Sequence, residues 1–179
     1  MVFDFLKKKK KEEFRIEDLV LSKLKTGFMV DYDMKTYLVA GYNKYQWNEG
    51  GFTDEWELKF SSETWFLERT QEDGEVEWSL CRKRPISELE GDIAGEIVRN
   101  EDPPEAVIFQ GKRFNFEEDN VGEFFRGGSG EALNFVAWDY EDEAEEQFLT
   151  IEQWGETKFD IQVGFKVEEY QFTNILPGE

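Results

Sequence analysis

Eight residues in the first half of the chain read Thr53-Asp54-Glu55-Trp56-Glu57-Leu58-Lys59-Phe60. Large apolar residues alternate here with charged ones, and a period of two is typical of a β-strand with one apolar and one polar face. The same period returns at Glu75–Arg82 and at Lys158–Gly164. The alternation therefore predicts strands in both halves of the chain.

Turn signals separate this stretch from other strand-like segments. Asn48-Glu49-Gly50-Gly51 precedes it, and Asp73-Gly74 is a strong hairpin turn. Segments rich in β-branched and aromatic residues predict further strands at Phe28–Tyr32, Thr36–Tyr42, Trp65–Arg69, Ala106–Phe109, Arg113–Phe116, Leu133–Tyr140 and Phe148–Glu152. Aromatic residues make up 16% of the 179 residues, enough large rings to bury a core.

A helix is predicted ahead of the strands, over Glu12–Lys25. Ile16, Val20 and Leu24 recur every four residues, which places them on one helix face. Gly27 follows as a helix stop. The tail from Tyr170 to Glu179 shows no regular period.

Three motifs occur once in each half, in the same order and 77 to 84 positions apart. The matched pairs are Tyr32–Tyr37 with Phe109–Phe114, Trp56-Glu57-Leu58 with Trp138-Asp139-Tyr140, and Leu67-Glu68 with Ile151-Glu152. A period this long is not that of a solenoid. The pattern predicts a mainly β fold: a duplicated antiparallel β-sandwich or barrel of two related halves, with a short N-terminal helix.

Composition divides the chain into four parts. Residues 1–11 are a basic and apolar N-terminal head, and residues 12–83 hold the helix and the first β half. Residues 84–104 are punctuated by proline and glycine and are interpreted as a linker with at most a short helix at Ile86–Leu89. Residues 105–179 are the second β half and the tail. The pattern leaves open whether the halves form one β unit or two lobes.

Several short motifs resemble a bacterial family known as domain of unknown function 4178. In the first half they are Leu24-Lys25-Thr26-Gly27, Val30-Asp31-Tyr32, Tyr37-Leu38-Val39, Trp56-Glu57-Leu58 and Trp65-Phe66-Leu67-Glu68. In the second half they are Gly111-Lys112-Arg113-Phe114, Trp138-Asp139-Tyr140-Glu141, Phe148–Gly155 and Gly164. The resemblance covers about residues 16–168 and implies a shared fold, without an activity or catalytic residues. It also implies a membrane-stress or polyamine context for the family.

The formal charge of −20 is unevenly distributed. Five lysines, Lys7–Lys11, stand against Asp4 alone in the N-terminal head, so the rest of the chain is more acidic than the total. Such a body repels phosphate backbones, which argues against a nucleic-acid partner and favours a basic or membrane-associated protein. Plain solubility is the alternative explanation.

Composition also excludes several catalytic sites. The chain has no histidine and one cysteine, so His-dependent triads, Cys/His zinc sites and an internal disulfide are absent. No phosphate-binding loop pattern occurs, and Gly127-Gly128-Ser129-Gly130 lacks its spacing. Carboxylate pairs of the glycosidase kind remain open, but 41 acidic residues make accidental pairs common. We therefore expect a protein that is not an enzyme and needs no cofactor.

Five residues are candidates for ligand binding: Trp47, Glu68, Trp138, Asp139 and Glu152. Glu68 and Glu152 are expected to end apolar strands at equivalent places in the repeat, where they either share a ligand or accept backbone N–H bonds in turns. Asp139 begins an acidic run through Glu146 that suits a cation, a polyamine or plain solvation. Trp47 and Trp138 suit either a cage for a cation or the core.

Cys81 is out of phase with Val76, Trp78 and Leu80, which predicts an exposed or partly exposed thiol. Arg82, Lys83 and Arg84 follow it and would favour the thiolate. No base or resolving cysteine accompanies Cys81, so a nucleophilic role has no further support.

The N-terminal head could contact a membrane. Its apolar residues Phe3, Phe5 and Leu6 could enter a bilayer interface while Lys7, Lys8, Lys9, Lys10 and Lys11 attract anionic lipid. A solvated terminus is the alternative. The chain has no secretory signal pattern and no transmembrane run, so a cytoplasmic protein is expected, peripheral on the inner face of the membrane if the head binds lipid.

These observations support a non-catalytic acidic adaptor as the first functional hypothesis. The second hypothesis is a sensor of a small ligand or polyamine, with acidic loops and a tryptophan at its site. A carboxylate-driven enzyme and a mimic of nucleic acid are further alternatives with less support in the sequence.

Overall fold

The computed structural model of the protein describes Arg15, Glu17 and residues 19–178. The described part of the chain is mainly β, with eleven strands and one short α-helix. The elements in order are β1 (Met29–Tyr32), β2 (Lys35–Trp47), β3 (Phe52–Phe60), β4 (Glu63–Glu72), β5 (Glu75–Pro85), α1 (Ile93–Asn100), β6 (Ala106–Phe109), β7 (Lys112–Arg126), β8 (Ala132–Asp142), β9 (Phe148–Gln153), β10 (Phe159–Val167) and β11 (Thr173–Leu176).

Eight antiparallel strands close into a barrel. The sheet order is β11-β1-β2-β3-β4-β5-β10-β9-β8-β7-β6, and β2 also pairs with β7, which closes the ring. β2 and β7 are the longest strands. One part of each pairs with its short flanking strand, β1 or β6, and the other part pairs with the long strand of the other half. The two halves therefore build one β unit.

The halves follow the same plan of a short strand, a long strand and a three-stranded meander. The first hairpin of each half turns on left-handed residues, Asp33 and Met34 in one and Gln110 and Gly111 in the other. Each long strand then carries an irregularity in its register, after Val39 in β2 and after Phe116 in β7.

Two apolar clusters lie on the outer face of the barrel. Trp56, Leu58 and Trp78 belong to the first, which is covered by Leu21, Leu24, Phe28 and Phe172. The second is built on Trp138, Tyr140 and Ile151 and is covered by α1 and Leu89. Trp56, Trp78 and Trp138 thus face outward and are buried by flanking segments, whereas their polar neighbours, such as Glu55 and Ser79, face the interior.

α1 lies in the region interpreted as a linker, beyond the short helix expected there. Ile93 and Ile97 are four residues apart and buried, and Asp92 caps the helix by accepting a bond from the Gly95 backbone N–H at 3.1 Å. The linker interpretation rested on Pro85 and Gly91 before the helix, Gly95 inside it, and Pro103-Pro104 after it. A short 3-10 turn also forms at Ile86–Glu88.

The N-terminal helix is not seen as predicted. Of Glu12–Lys25 the structure describes Arg15, Glu17 and residues 19–25, and within this part a 3-10 turn spans Leu21–Lys23. Leu24 is already non-helical, with ψ at 140°, and its carbonyl accepts a bond from the Trp56 indole N–H. At the other end, the irregular tail adds strand β11 beside β1.

No helix within the described ranges combines the length and apolar character needed to cross a bilayer.

Candidate functional site

The barrel interior is polar and is crossed by hydrogen bonds. Tyr45 on β2 and Gln162 on β10 stand on opposite sides of the eight-strand ring, yet Gln162 Nε2 lies 3.4 Å from Tyr45 Oη. Lys83 Nζ on β5 donates to the same hydroxyl at 3.0 Å. These contacts show that the side chains of this face meet in the lumen.

Lys83 is the cation at the centre of this cluster. Its Nζ lies 2.6 Å from Glu55 Oε2, and Tyr45 donates its hydroxyl to the same carboxylate at 3.1 Å. Asn43 donates to the other Glu55 oxygen at 2.7 Å. Glu55 is fully buried, so its charge is held by three donors instead of water.

Glu68 and Glu152 enter the same lumen from β4 and β9. Ser79 donates to Glu68 at 3.1 Å, and Gln162 donates to Glu152 at 2.9 Å. Glu68 stands directly opposite Glu55 across the β3–β4 ladder, a like-charge arrangement that is unfavourable when both are ionised.

Burial dominates the titration of these groups. Burial and the nearby Glu55 carboxylate raise the pKa of Glu68 to about 7, and burial raises the pKa of Glu152 to about 8, although Lys83 opposes the shift in both. Burial lowers the pKa of Lys83, but Glu55 and Glu152 outweigh it and hold that pKa above its usual value. The lumen therefore holds one lysine among carboxyl groups that bind protons near neutral pH.

One part of the lumen is filled by aromatic rings. Trp47 stacks on Tyr45 with ring centroids 5.9 Å apart and donates its indole N–H to Thr53 Oγ1 at 3.0 Å. Phe135 packs against Trp47, Tyr45 and Trp154. The buried Trp154 Nε1 has no hydrogen-bond partner among the described residues.

Four of the five ligand candidates from the sequence reach the lumen. Glu68 and Glu152 converge near Lys83, and Trp47 lies among the aromatic rings. Asp139 faces inward but is held by Asn120 at 3.1 Å and by Thr150 at 2.5 Å. Trp138 points outward into the second apolar cluster.

The turn interpretation of the two glutamates is wrong. Glu68 lies inside β4 and Glu152 is the penultimate residue of β9, and both accept bonds from side chains. The matched motifs paired the two glutamates in the sequence, but the period of two along each strand does not say which face becomes the interior.

The expectation of an exposed Cys81 is also wrong. Its side chain is fully buried in the lumen and donates to Gln162 Oε1 at 3.3 Å. Burial and the neighbouring carboxylates raise the pKa of the thiol, so the thiolate is not favoured. Being out of phase with Trp78 placed Cys81 on the lumen face. Lys83 lies two residues after Cys81 on β5 and therefore shares that face. This alternation is the sequence signal by which Lys83 could have been found.

The acidic run after Asp139 forms the β8–β9 hairpin. Asp142 accepts bonds from the backbone N–H groups of Glu146 and Gln147 at 2.9 and 2.8 Å and pairs with Lys112. No group of three or more acidic, cysteine or histidine side chains suited to a metal ion occurs in the part of the chain that the structure describes.

An acidic groove lies outside the barrel, beside α1. We define it by four carboxylate residues, Glu101, Asp102, Asp119 and Glu156, around an apolar floor of Ile97, Val98, Phe116, Val136 and Trp138. Its volume is about 630 Å³, and the described residues that line it include no lysine or arginine. Val98 exposes 47% of its surface there, so the groove offers apolar contact as well as charge.

A second groove, which we call the mixed groove, lies beside Trp56 in the first half. Its volume is about 1150 Å³, and three basic side chains line it together with two acidic ones, namely Lys23, Lys25, Arg126, Asp54 and Glu57. Glu57 pairs with Lys59 at 2.8 Å, and Asp54 accepts the Tyr42 hydroxyl at 2.6 Å. Trp56 closes its inner wall by donating to the Leu24 carbonyl at 3.0 Å.

Comparison with known proteins gives a family without an assigned role. An uncharacterized protein of Aquifex aeolicus (strain VF5) is 25% identical over 173 residues, which cover 97% of this chain and 94% of that protein. No solved structure matches the chain. The model of the family described as domain of unknown function (DUF4178) matches residues 25–169, and the resemblance noted in the sequence is thereby confirmed. With that match over most of its length, the chain belongs to the DUF4178 family.

Proposed function

We propose that this protein is a non-catalytic interaction module that binds a basic partner protein in its acidic groove. The observation that carries the proposal is the lining of the groove: four carboxylates, no basic side chain among the described residues, and an apolar floor. A lysine or arginine side chain has an aliphatic stem and a cationic head, and such a surface accepts both.

The apolar floor distinguishes this groove from the rest of the acidic surface. Phe116 is half-buried and Val98 is exposed, so a guest can gain apolar contact without disturbing the buried Trp138. Exposed acids elsewhere, such as those of the β8–β9 hairpin tip, attract cations but offer no such floor.

Binding of an oligolysine peptide tests this proposal. The variant Asp119→Asn/Glu156→Gln removes two charges from the groove, and Glu143→Gln/Glu146→Gln removes two from the hairpin tip as a matched control. We expect the groove variant to weaken the peptide's Kd about tenfold and the control variant less than about twofold, measured by calorimetry. Equal weakening of peptide binding in both variants would mean that the peptide responds to the net charge of the protein, and it would refute the groove as the site.

The N-terminal head would keep the module near a membrane. Phe3, Phe5, Leu6 and Lys7–Lys11 lie outside the described residues, so the tether rests on the sequence alone. Sedimentation with anionic vesicles should recover the full chain and much less of a variant that lacks residues 1–11. Equal recovery of the two would remove the tether from the proposal.

A polyamine or other small cation is the second candidate ligand. It is favoured by the acidic groove, because carboxylates beside the Trp138 ring are chemistry that binds an organic cation. Calorimetry with spermidine tests it, and the absence of both heat and a thermal shift at millimolar ligand would exclude it.

We also infer that the two halves arose by duplication of one β unit. The three sequence motifs recur in order, and both halves share the left-handed hairpin turn and the irregular long strand. If the halves are related, a crystal structure should superpose β6–β10 on β1–β5 with Trp138 matched to Trp56. A superposition that fails to align these tryptophans would contradict the inference.

A further inference from the structure

The lumen gathers acidic groups from several strands around one cation. Glu55, Glu68 and Glu152 come from β3, β4 and β9, and Lys83 on β5 is the lysine that they share. Glu55 and Glu68 are opposed directly across the β3–β4 ladder. Both are buried, so water cannot screen a repulsion between them.

The same side chains join the two halves of the barrel. β5 ends the first half and β10 belongs to the second, and they pair from Asp160–Pro85 to Val167–Trp78. Inside the lumen this seam is crossed by the bond from Cys81 to Gln162, and Gln162 continues to Glu152. Lys83 stands opposite Gln162 in the ladder.

We propose that the lumen is a proton-operated latch on the β5–β10 seam, closed while Glu68 and Glu152 hold protons and loosened when both carboxyl groups ionise. When Glu68 and Glu152 ionise, the number of carboxylates around Lys83 rises from one to three. The two added charges have no further lysine to pair with in the described lumen, so they push β4 and β9 apart across the barrel.

The other charged and titratable groups facing the lumen do not offset this change. Tyr45 on β2 shares its hydroxyl among Glu55, Lys83 and Gln162, and Cys81 on β5 is a buried thiol. Asp139 on β8 and Asp160, opposite Glu152 on β10, are further acids. Each contributes no charge or a negative one, so the cluster becomes more repulsive as protons leave.

The pKa values of the two glutamates indicate that the latch loosens as the pH rises. Their pKa values of about 7 and about 8 mean that protons leave as the pH rises through the neutral range. Acidic conditions therefore close the latch and mildly alkaline conditions loosen it.

Hydrogen exchange of the full chain at about pH 6 and about pH 9, corrected for intrinsic exchange rates, tests the latch. We expect amides of β5, β9 and β10 to lose protection by about tenfold or more at the higher pH, while the β1–β2 hairpin changes less than about twofold. In Glu68→Gln/Glu152→Gln the seam should respond to pH less than about twofold, and the surface control Glu145→Gln should behave like the unaltered chain. An unchanged seam in the unaltered chain, or a full response in the double variant, would overturn the proposal.

A titration of the unaltered protein keeps the proposal testable if the double variant does not fold. Carboxyl ¹³C shifts of Glu68 and Glu152 should move in the neutral range, well above the ordinary value of 4.5. Midpoints of both groups below about pH 5 would overturn the latch.

Discussion

The acidic groove and the mixed groove stand at matching places in the two halves of the barrel. Each is lined by one tryptophan of the matched motifs, Trp138 in one groove and Trp56 in the other. Each is also walled by a segment that covers the outer apolar cluster of its half. Their linings differ: the acidic groove carries four acids, whereas the mixed groove carries three basic residues and two acids. The same scaffold thus presents two surfaces of different chemistry, and recognition follows the side chains at the rim.

The largest losses of stability are expected at the two tryptophans, because each groove has one of them as its inner wall. Trp56→Ala should destabilise the protein by about 4 kcal/mol, since it removes a buried ring and leaves the Leu24 carbonyl without its donor. Trp138→Ala should cost somewhat less, about 3 kcal/mol, because no such bond is lost. Urea denaturation measures both, and a negligible cost for either would mean that its cluster does not support the barrel.

The two halves also differ in what they contribute to the lumen, because only the first half supplies a lysine. Lys83 on β5 corresponds in the hairpin register to Gly164 on β10, so the second half supplies no equivalent cation. Lys83→Met should cost about 3 kcal/mol, since it leaves the buried Glu55 carboxylate without its ion pair. If the free energy of unfolding in urea is unchanged by this substitution, the ion pair does not stabilise the lumen.

The stability of the whole barrel should fall as the pH rises. A carboxyl group whose pKa is raised on folding stabilises the folded state fully below its unfolded value, near 4.5, and that contribution is lost as the pH passes its folded value. For Glu68 and Glu152 those folded values are about 7 and about 8, so the free energy of unfolding should drop by a few kcal/mol between about pH 5 and about pH 9. Thermal melts of the unaltered chain and of Glu68→Gln/Glu152→Gln measure this drop, and an equal drop in both would assign it to other groups.

The smallest effects are expected at the rims of the two grooves. Asp119→Asn in the acidic groove should change stability by less than about 0.5 kcal/mol, because its side chain is exposed. Asp54→Asn in the mixed groove should cost more, about 1 kcal/mol, because Asp54 accepts the Tyr42 hydroxyl at 2.6 Å. Urea midpoints compare the two, and a larger cost at Asp119 would mean that the acidic rim has a structural role.

The sequence predicted the strands of this barrel better than it predicted which face of each strand is buried. Ala106–Phe109 forms a strand with the predicted bounds, and Thr53–Phe60 is off by one residue. The alternation around Trp56 separated the two faces correctly, but Glu55 is as buried as Trp56 because flanking segments cover the outside while the barrel closes the inside. Closure depends on pairing between β2 and β7, which are far apart in the chain and leave no local signal.

Two further differences have local causes. β7 continues to Arg126, well beyond the predicted Phe116, because the acidic residues Glu117, Glu118 and Asp119 can stand on the exposed part of a long strand. Of the candidate site, Glu68 and Glu152 were singled out in the sequence by the matched motifs. The sequence offered no reason to join them with Tyr45, Lys83 and Gln162, which meet only when the ring is closed.

The central claim is that the acidic groove, and not the mixed groove, receives a basic partner. Titration of oligolysine into isotopically labelled protein, followed by NMR, tests it most directly, because the indole N–H signals of Trp138 and Trp56 report on the two grooves separately. Saturable shifts should cluster at Trp138, Val98 and Phe116, with Trp56 unmoved. Shifts centred on Trp56, or spread evenly over the acidic surface, would contradict the claim.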